Sequence, residues 1–348
     1  MTVPLPTPEL HELTAPDGAP LRLTRYRGGE RGPVLLVHGA SVWSGMFMLP
    51  TLQENFVQHL VRHGFDTWLL DWRASIALPL RSFTLDEAAE RDFPTAVQRV
   101  CEASGAPSVQ VVAHCAGAVT FFMALAAGRL PEVRSVVASQ IALHHRAPKA
   151  TRLKAALRLP ELLDQTLDYV SPDEDPRHPR LQAAFGALAG LLHGGCGSAV
   201  CHRLTFMYGP LYRHAHLDPD THARLDEQFG PCNLTTLRHL AQMARSGRSQ
   251  RYDHGARENL RRYGQPTPPD FLDARHLALP ITFLSGEHNQ TYLPSSTEAT
   301  CAWLAERHGP QLYRRHVLAG YGHLDTFMGV RAAQDTYPLM RQALQTTA

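Results

Sequence analysis

The residue with the clearest potential for covalent chemistry is Cys115, which directly follows an apolar run ending at Ala113-His114. An apolar, helix-like segment at residues 119–127 comes next, so the order is strand, sharp turn and helix. Small residues, Ala113 and Gly117, lie two positions before and after the thiol. A nucleophile elbow needs small residues there, because its nucleophile occupies a strained turn. The start of a helix also favours a thiolate, whereas a lone cysteine without such surroundings is usually a small apolar residue.

His323 is the candidate general base for this thiol. It lies in the loop at residues 320–325, between a predicted strand at 312–318 and a closing helix at 329–345. A histidine at such a position can also cap a helix or fill a core. Because a thiol and further polar groups follow other predicted strands, we expect His323 to take the proton of Cys115.

Two residues compete to orient His323. Asn289 lies three residues after Gly286, where enzymes with such an elbow usually carry Asp, and Glu287 lies one residue after that glycine. A Cys–His pair can rest as thiolate and imidazolium, and Asn is then a sufficient partner, as in Cys–His–Asn sites. We therefore favour Asn289 and keep Glu287 as the alternative. Asp325 is expected to hold the loop rather than to orient the ring.

An oxyanion-binding site is predicted beside the thiol. The first buried strand, at residues 33–37, ends in His-Gly-Ala-Ser, and the glycine lets the backbone N–H of Ala40 point at a developing oxyanion. Ala116, the residue after the nucleophile, would supply the second N–H. The neighbouring side chains that are candidate substrate contacts are His38, Ser41, Trp43 and His114.

The composition excludes several other classes of protein. The 348 residues are 44% hydrophobic and 19% charged, which is typical of a globular protein with one core and an insertion. A net charge of +2 gives no electrostatic basis for binding nucleic acid or an anionic membrane. The six scattered cysteines do not resemble a disulfide framework. The chain shows neither a signal-peptide pattern nor an apolar run of about 20 residues. We therefore expect a soluble cytoplasmic protein without a transmembrane segment.

A group of cysteines and histidines in the middle of the chain raises the question of a metal site. Its members are His193, Cys196, Cys201, His202 and Cys232. Their Cys-x4-Cys-His spacing is looser than the paired Cys-x2-Cys of structural zinc sites. We therefore expect no metal and no other cofactor, an expectation that a metal assay tests.

The pattern of predicted elements divides the chain into a core and an insertion. Residues 33–142 alternate between apolar runs and helical periodicity, which predicts a parallel sheet with helical crossovers. Residues 144–276 carry helical patterns without a clear buried strand, and at about 130 residues they are too long for a loop. The predicted segments are an N-terminal arm with little regular structure (1–20), a first core part beginning with an edge strand (21–143), a helical cap (144–276) and a second core part (277–348). The predicted helices of the cap lie at 151–163, 180–192, 221–229 and 234–245.

Four segments carry a resemblance to a known family: VVAHCAGAVTFFMALAAG, HRLTFMYGPLYRHAHL, SGEHNQTYLPSSTEAT and YRRHVLAGYGHLDTFMG. With them the sequence resembles an α/β-hydrolase, of the Cys-nucleophile branch related to polyhydroxyalkanoate synthases. It is similar, more specifically, to the hydrolase modules associated with glucose–methanol–choline (cholesterol oxidase-type) oxidoreductases. The resemblance implies the α/β-hydrolase fold, a mostly parallel sheet flanked by helices with a large inserted helical cap. The elbow departs from it by carrying Ala113 instead of Gly, and the acid position by carrying Asn289.

The expected function is cleavage or transfer of an acyl group through a thioester on Cys115. An esterase or lipase, or an acyltransferase, would act in this way on a small-molecule or lipid-like acyl ester or thioester. Apolar residues of the cap suit a hydrophobic acyl group, but they equally suit core packing: Phe185, Leu188, Leu191, Leu192, Phe206, Met207, Tyr208 and Leu211. The alternatives are a polymerising acyltransferase like the synthases and a non-catalytic partner module. The resemblance also implies a functional link to an oxidoreductase.

Overall fold

The structure is a computed structural model that describes residues 4–158, 160, 167–173, 179–193 and 195–346, without the side chains of residues 179, 181, 182 and 193. Its central element is an eight-stranded sheet in the order β1-β2-β4-β3-β5-β6-β9-β10. In this order, each neighbouring pair of strands from β4 to β10 is parallel. The pairs β1–β2 and β2–β4 are antiparallel. The strands are β1 Glu9–Thr14, β2 Pro20–Tyr26, β3 Pro33–Val37, β4 Asp66–Asp71, β5 Val109–His114, β6 Val133–Ser139, β9 Ile281–Gly286 and β10 Tyr313–Leu318.

The parallel strands are buried on both faces, as their continuous apolar runs predict. Every residue of β3, β4, β5 and β9 is buried. The register aligns Val37 with Ala113, and His114 with Ser139, so the carboxyl ends of these strands meet at one edge of the sheet. Polar groups that follow them therefore converge there. The α/β-hydrolase fold with a mostly parallel sheet flanked by helices is confirmed.

Helices of the core cover both faces of the sheet. The helix-like segment predicted at residues 119–127 is found as Cys115–Ala126. The predicted closing helix at 329–345 is broken into pieces, because Gly329 has extended backbone and Pro338 lies in the first turn of the last helix. The core helices are Phe56–Arg62, Leu85–Glu87, Ala88–Asp92 (a π-helix), Phe93–Ser104, Cys115–Ala126, Ser295–His308, Asp325–Met328, Ala332–Asp335 and Tyr337–Gln345.

The prediction of an N-terminal arm with little regular structure is wrong. Glu9–Thr14 forms β1 and pairs antiparallel with β2 along six residues. Asp17, in the following turn, accepts hydrogen bonds from the Arg73 guanidinium at 2.9 and 3.1 Å. The predicted edge strand is consequently not at the edge, because β2 lies between β1 and β4. Backbone pairing holds β1 in place although its side chains alternate between half-buried and exposed.

The segment predicted as a cap is helical, as expected, with one addition. Tyr169–Val170 and Cys232–Asn233 form a small antiparallel pair, β7–β8, which the sequence did not indicate. The part of the predicted helix 151–163 beyond residue 158 lies largely outside the described residues. Within the described residues, no helix is both long and apolar enough to cross a bilayer. The helices here are Lys149–Ala156, Pro179–His193, Ala199–Tyr208, Pro219–Ala223, Leu225–Gln228, Leu234–Ser246 and Ala256–Tyr263.

Candidate active site

Cys115 occupies a strained turn between β5 and the helix Cys115–Ala126. Its φ is +54°, in the left-handed region that non-glycine residues rarely adopt. The close packing around this turn leaves no room for a side chain at Gly117 or Gly39. A Cβ placed on Gly117 would lie 2.2 Å from the carbonyl oxygen of His38, and one on Gly39 would lie 2.9 Å from Cβ of Cys115. The local geometry is therefore that of a nucleophile elbow.

Two backbone N–H groups are directed at the sulfur of Cys115. They belong to Ala40 and Ala116, and both lower the pKa of the thiol. Burial has the larger effect and raises that pKa to about 12. The two N–H groups lie where the predicted oxyanion donors were expected, on the turn after β3 and at the first turn of the helix.

His323 faces the thiol from the loop after β10. One of its ring nitrogens, the Cys115 sulfur and a ring nitrogen of His114 all lie within 4.8 Å of one another. Burial lowers the pKa of His323 to about 3, while it raises the pKa of Cys115. Both shifts favour the uncharged forms. Burial therefore favours the neutral thiol and the neutral imidazole over the thiolate–imidazolium pair that was considered from the sequence.

Asn289 contacts His323 through its side-chain oxygen. Its Oδ1 accepts hydrogen bonds from the backbone N–H of Thr291 at 3.0 Å and of Tyr292 at 3.1 Å. The same oxygen lies 3.2 Å from Nδ1 of His323. Since an oxygen can only accept, Nδ1 of His323 carries the proton in this arrangement. Nε2 is then the unprotonated nitrogen, and it has no hydrogen-bond partner among the described residues.

Gln140, which the sequence analysis did not single out, determines how the amide of Asn289 is turned. The Thr326 hydroxyl donates to the carbonyl of His323, so it accepts from Nε2 of Gln140 at 3.2 Å. Oε1 of Gln140 accepts from the Gly286 N–H at 3.0 Å and from Nδ2 of Asn289 at 2.9 Å. The Asn289 oxygen is thereby directed at His323. Gln140 has φ of +80° and follows β6 directly, so the strand ends at Ser139 although the apolar sequence continues.

The two acidic residues considered near His323 lie in other contacts. Glu287 is exposed, and its carboxylate accepts from the Gly320 N–H at 2.9 Å. Asp325 is buried and accepts from the Gly322 N–H at 2.7 Å, and its other oxygen lies 3.1 Å from Nδ1 of His216. The geometry therefore favours Asn289 as the orienting residue, and Asp325 holds the loop.

Two of the four candidate substrate contacts are fully buried histidines. His38 lies 3.8 Å from the carboxylate of Asp71 and packs against Trp72, so it belongs to the core below the site. His114 donates to or accepts from Ser139 and lies with its ring 4.9 Å from that of His323. Burial is the main cause that lowers the pKa of both histidines. Both side chains are fully buried in this structure, and their contact with a substrate stays a prediction.

Ser41 and Trp43 lie nearer to free space. The Ser41 hydroxyl lies 2.6 Å from that of Tyr208, and both contact the buried thiol of Cys232. Trp43 is half-buried, with its ring over Gly45. A cavity of about 10 Å³ adjoins Ala40, Ser41 and Cys232, enough for about one water molecule.

Comparisons with known proteins agree with this architecture. The sequence matches the family model described as "alpha/beta hydrolase fold" over residues 32–329. Triacylglycerol lipase 1 of Arabidopsis thaliana is 25% identical, over 95% of this chain and 86% of that protein. Lipase lipl-1 of Caenorhabditis elegans is 23% identical, over 94% and 86%. A soluble variant of monoglyceride lipase from Saccharomyces cerevisiae superposes with a TM-score of 0.59 at 16% identity, covering 99% of both chains. Monoacylglycerol lipase from Paleococcus ferrophilus gives 0.58 at 16%, covering 94% and 99%.

Proposed function

The chain belongs to the alpha/beta hydrolase fold family, and on that premise we propose that it cleaves carboxylic esters or thioesters through an acyl-enzyme on Cys115. One observation carries the proposal. The Cys115 sulfur, on a strained turn, meets two backbone N–H groups and lies across from a histidine whose Nε2 is free to accept a proton. Lipase relatives at 23–25% identity support an ester as substrate.

In the first step, Nε2 of His323 takes the thiol proton as the sulfur of Cys115 bonds to the acyl carbon. The carbonyl oxygen becomes an oxyanion held by the N–H groups of Ala40 and Ala116. When the intermediate collapses, the bond to the leaving oxygen or sulfur breaks, and that atom takes the proton from His323. Water then attacks the thioester carbon and gives a proton to the same nitrogen. The bond between that carbon and the sulfur breaks, the sulfur takes the proton back from His323, and the acid is released.

A neutral partner fits a neutral resting pair. Asn289 keeps the proton on Nδ1 of His323 by offering an oxygen, and it adds no charge to a buried site. The imidazolium forms only while the intermediate exists, when the oxyanion balances it. The site therefore depends on positioning rather than on a standing ion pair.

Exposed leucines on the cap support a lipid-like substrate. On the helix Pro179–His193, Leu191 is 83% exposed, and Leu192 and Leu188 are 57% and 46% exposed. These three residues are not core packing, whereas Leu211 is buried. Apolar side chains that face water on one helix are suited to an aggregated or membrane-associated substrate.

Substrate turnover by matched variants tests the proposal. The wild-type chain should hydrolyse p-nitrophenyl esters or acyl thioesters. Cys115→Ala and His323→Ala should lower kcat by about 10³-fold or more while the circular dichroism spectrum is kept. Cys301→Ala, on the outer helix Ser295–His308, is the control and should keep full activity. Full activity in Cys115→Ala would contradict the proposal, and an inactive wild type across both substrate classes would favour a binding module.

Acyl transfer to an alcohol is a second candidate, favoured by the thiol itself. A thioester is more reactive toward a second acceptor than an oxygen ester, and the elbow resembles that of polyhydroxyalkanoate synthases. An ester product that grows with added alcohol at the expense of the free acid would support transfer. Products that stay the free acid alone would restrict the enzyme to hydrolysis.

A further inference from the structure

We propose that Cys196, Cys201, His214 and His222 bind one zinc ion in the cap. One ligand atom from each of these four residues, the cap cluster, lies within 4.8 Å of every other. A tetrahedral site with Zn–S of about 2.3 Å and Zn–N of about 2.0 Å has sulfur-to-nitrogen edges of about 3.5 Å. Sγ of Cys201 lies 3.5 Å from Nε2 of His214. The spacing of the donors is thus that of a zinc site.

Three separate elements bring the cap cluster together. Cys196 precedes the helix Ala199–Tyr208, and Cys201 lies in its first turn, where the Ser198 hydroxyl accepts the Cys201 N–H at 3.2 Å. His214 begins a short 3-10 helix, and His222 lies in the helix Pro219–Ala223. The sequence pattern is Cys-x4-Cys-x12-His-x7-His, which pairs two of the cysteines considered above with two histidines that were not.

Surrounding groups hold the donors in place. The hydroxyl of Tyr212 donates to Sγ of Cys201 at 3.0 Å, a contact that would stabilise a metal-bound thiolate. Nε2 of His202 lies 2.6 Å from the carbonyl of Cys196 and fixes the loop that carries it. Nε2 of His222 is buried without a hydrogen-bond partner among the described residues. Leaving this nitrogen unpaired costs free energy, and a bond from the imidazole to a metal would remove that cost, either directly or after the ring has turned over.

The other two residues of the earlier metal hypothesis with described side chains have different roles. His202 is occupied by the Cys196 carbonyl, and Cys232 lies with Ser41 and Tyr208 at the candidate active site. The side chain of His193 lies outside the described residues. The expectation of no metal rested on spacing along the chain, which does not report the approach of His214 and His222.

Four protein donors leave no open position, so the zinc would be structural. Its effect would reach the candidate active site through the segment 211–216. The carbonyl of Leu211 accepts from the N–H of His323 at 3.1 Å and of Leu324 at 2.7 Å. His216, two residues after a zinc ligand, contacts Asp325. The ion would thus fix the cap to the loop that carries His323. The site itself does not depend on the proposed reaction.

Metal content of untagged protein, produced with zinc and purified with a reductant, tests the proposal. We expect about one zinc ion per chain in the wild type and in the controls Cys301→Ser and Cys115→Ala. Cys201→Ser and His222→Gln should lose it. Cobalt should give the intense visible bands of a tetrahedral thiolate site in the wild type and not in these two variants. His222 is partly exposed, so His222→Gln serves if Cys201→Ser does not fold.

Three results would overturn the proposal. They are a zinc-free wild type with reduced Cys196 and Cys201, a disulfide between these two cysteines, and zinc that persists in His222→Gln. Zinc lost only in Cys115→Ala would place the metal at the cluster of His114, Cys115 and His323 instead.

Discussion

Gln140 and Asn289 meet amide to amide, with Oε1 of Gln140 accepting a hydrogen bond from Nδ2 of Asn289 at 2.9 Å. Because Oε1 also accepts from the Gly286 N–H, the Gln140 amide cannot turn without placing its own NH₂ against that donor. The position facing Gln140 therefore requires a donor. Asn supplies one, and an ionised Asp does not.

Asn289→Asp should therefore lower activity. A carboxylate oxygen would face Oε1 of Gln140 with no hydrogen between them, at a cost of about 1–3 kcal/mol, or about 5- to 150-fold in kcat/KM. The carboxylate would also favour the imidazolium and raise the pKa of His323. Steady-state kinetics across pH would detect both effects, the loss and an acid limb moved to higher pH. The control is Glu287→Ala, which removes an exposed carboxylate bound to Gly320 and should retain wild-type activity. Higher activity in Asn289→Asp would mean that the site favours a carboxylate.

The pH profile of the wild type should lack the usual histidine limb. The folded pKa of His323 is lowered to about 3, so the base stays neutral and active throughout pH 6–8. A histidine with an ordinary pKa of about 6.5 would lose about half of its activity at pH 6.5 and more below it. Measuring kcat/KM over this range, with folding monitored by circular dichroism, checks the prediction. A limb between pH 6 and 7 that persists in the folded protein would contradict it.

Gly117→Ala should destabilise the chain and remove activity. The added Cβ would lie 2.2 Å from the carbonyl oxygen of His38, so β3 and the helix Cys115–Ala126 would have to separate. We expect a loss of about 1–3 kcal/mol in the free energy of unfolding, measured by chemical denaturation. Gly190→Ala is the matched control, because among the described residues its Cβ would meet only His202, at an ordinary 3.8 Å. Equal stability of the two variants would contradict the close approach.

Leu191→Gln should lower activity on aggregated substrates and leave activity on soluble substrates unchanged. Its side chain is 83% exposed, so the change should not affect folding or hydrolysis of short soluble esters. If the cap approaches a lipid surface, activity on emulsified long-chain esters should fall several-fold. Arg180→Gln, an exposed polar change on the same helix, is the control. Unchanged activity on the emulsion would mean that this helix does not take part in binding the lipid substrate.

Residues that follow a strand could be predicted from the sequence, because an apolar run followed by a small or polar residue is a local signal. Cys115, His323 and Asn289 each carry that signal, and parallel strands bring such ends together. Gln140 does not, since it lies inside an apolar run and leaves the strand only through an unusual φ. Its role depends on Asn289, which lies 149 residues away in the chain.

The other differences also come from contacts between distant segments. β1 is held by backbone pairing with β2, and its alternating, partly exposed side chains gave no strong signal. The start of a helix favours a thiolate at Cys115, but burial has the larger effect and raises the pKa of the thiol. His214 and His222 approach Cys201 only through tertiary packing of the segment at residues 196–222.

The most direct test of the account is the covalent intermediate itself. Wild-type protein mixed with a slowly hydrolysed ester and quenched in acid should show the acyl mass on the peptide that contains Cys115. Neutral hydroxylamine should remove it, as expected of a thioester. The adduct should be absent from Cys115→Ala and present in Cys301→Ala. Turnover without an adduct on Cys115, or an adduct on the neighbouring thiol of Cys232, would contradict the account.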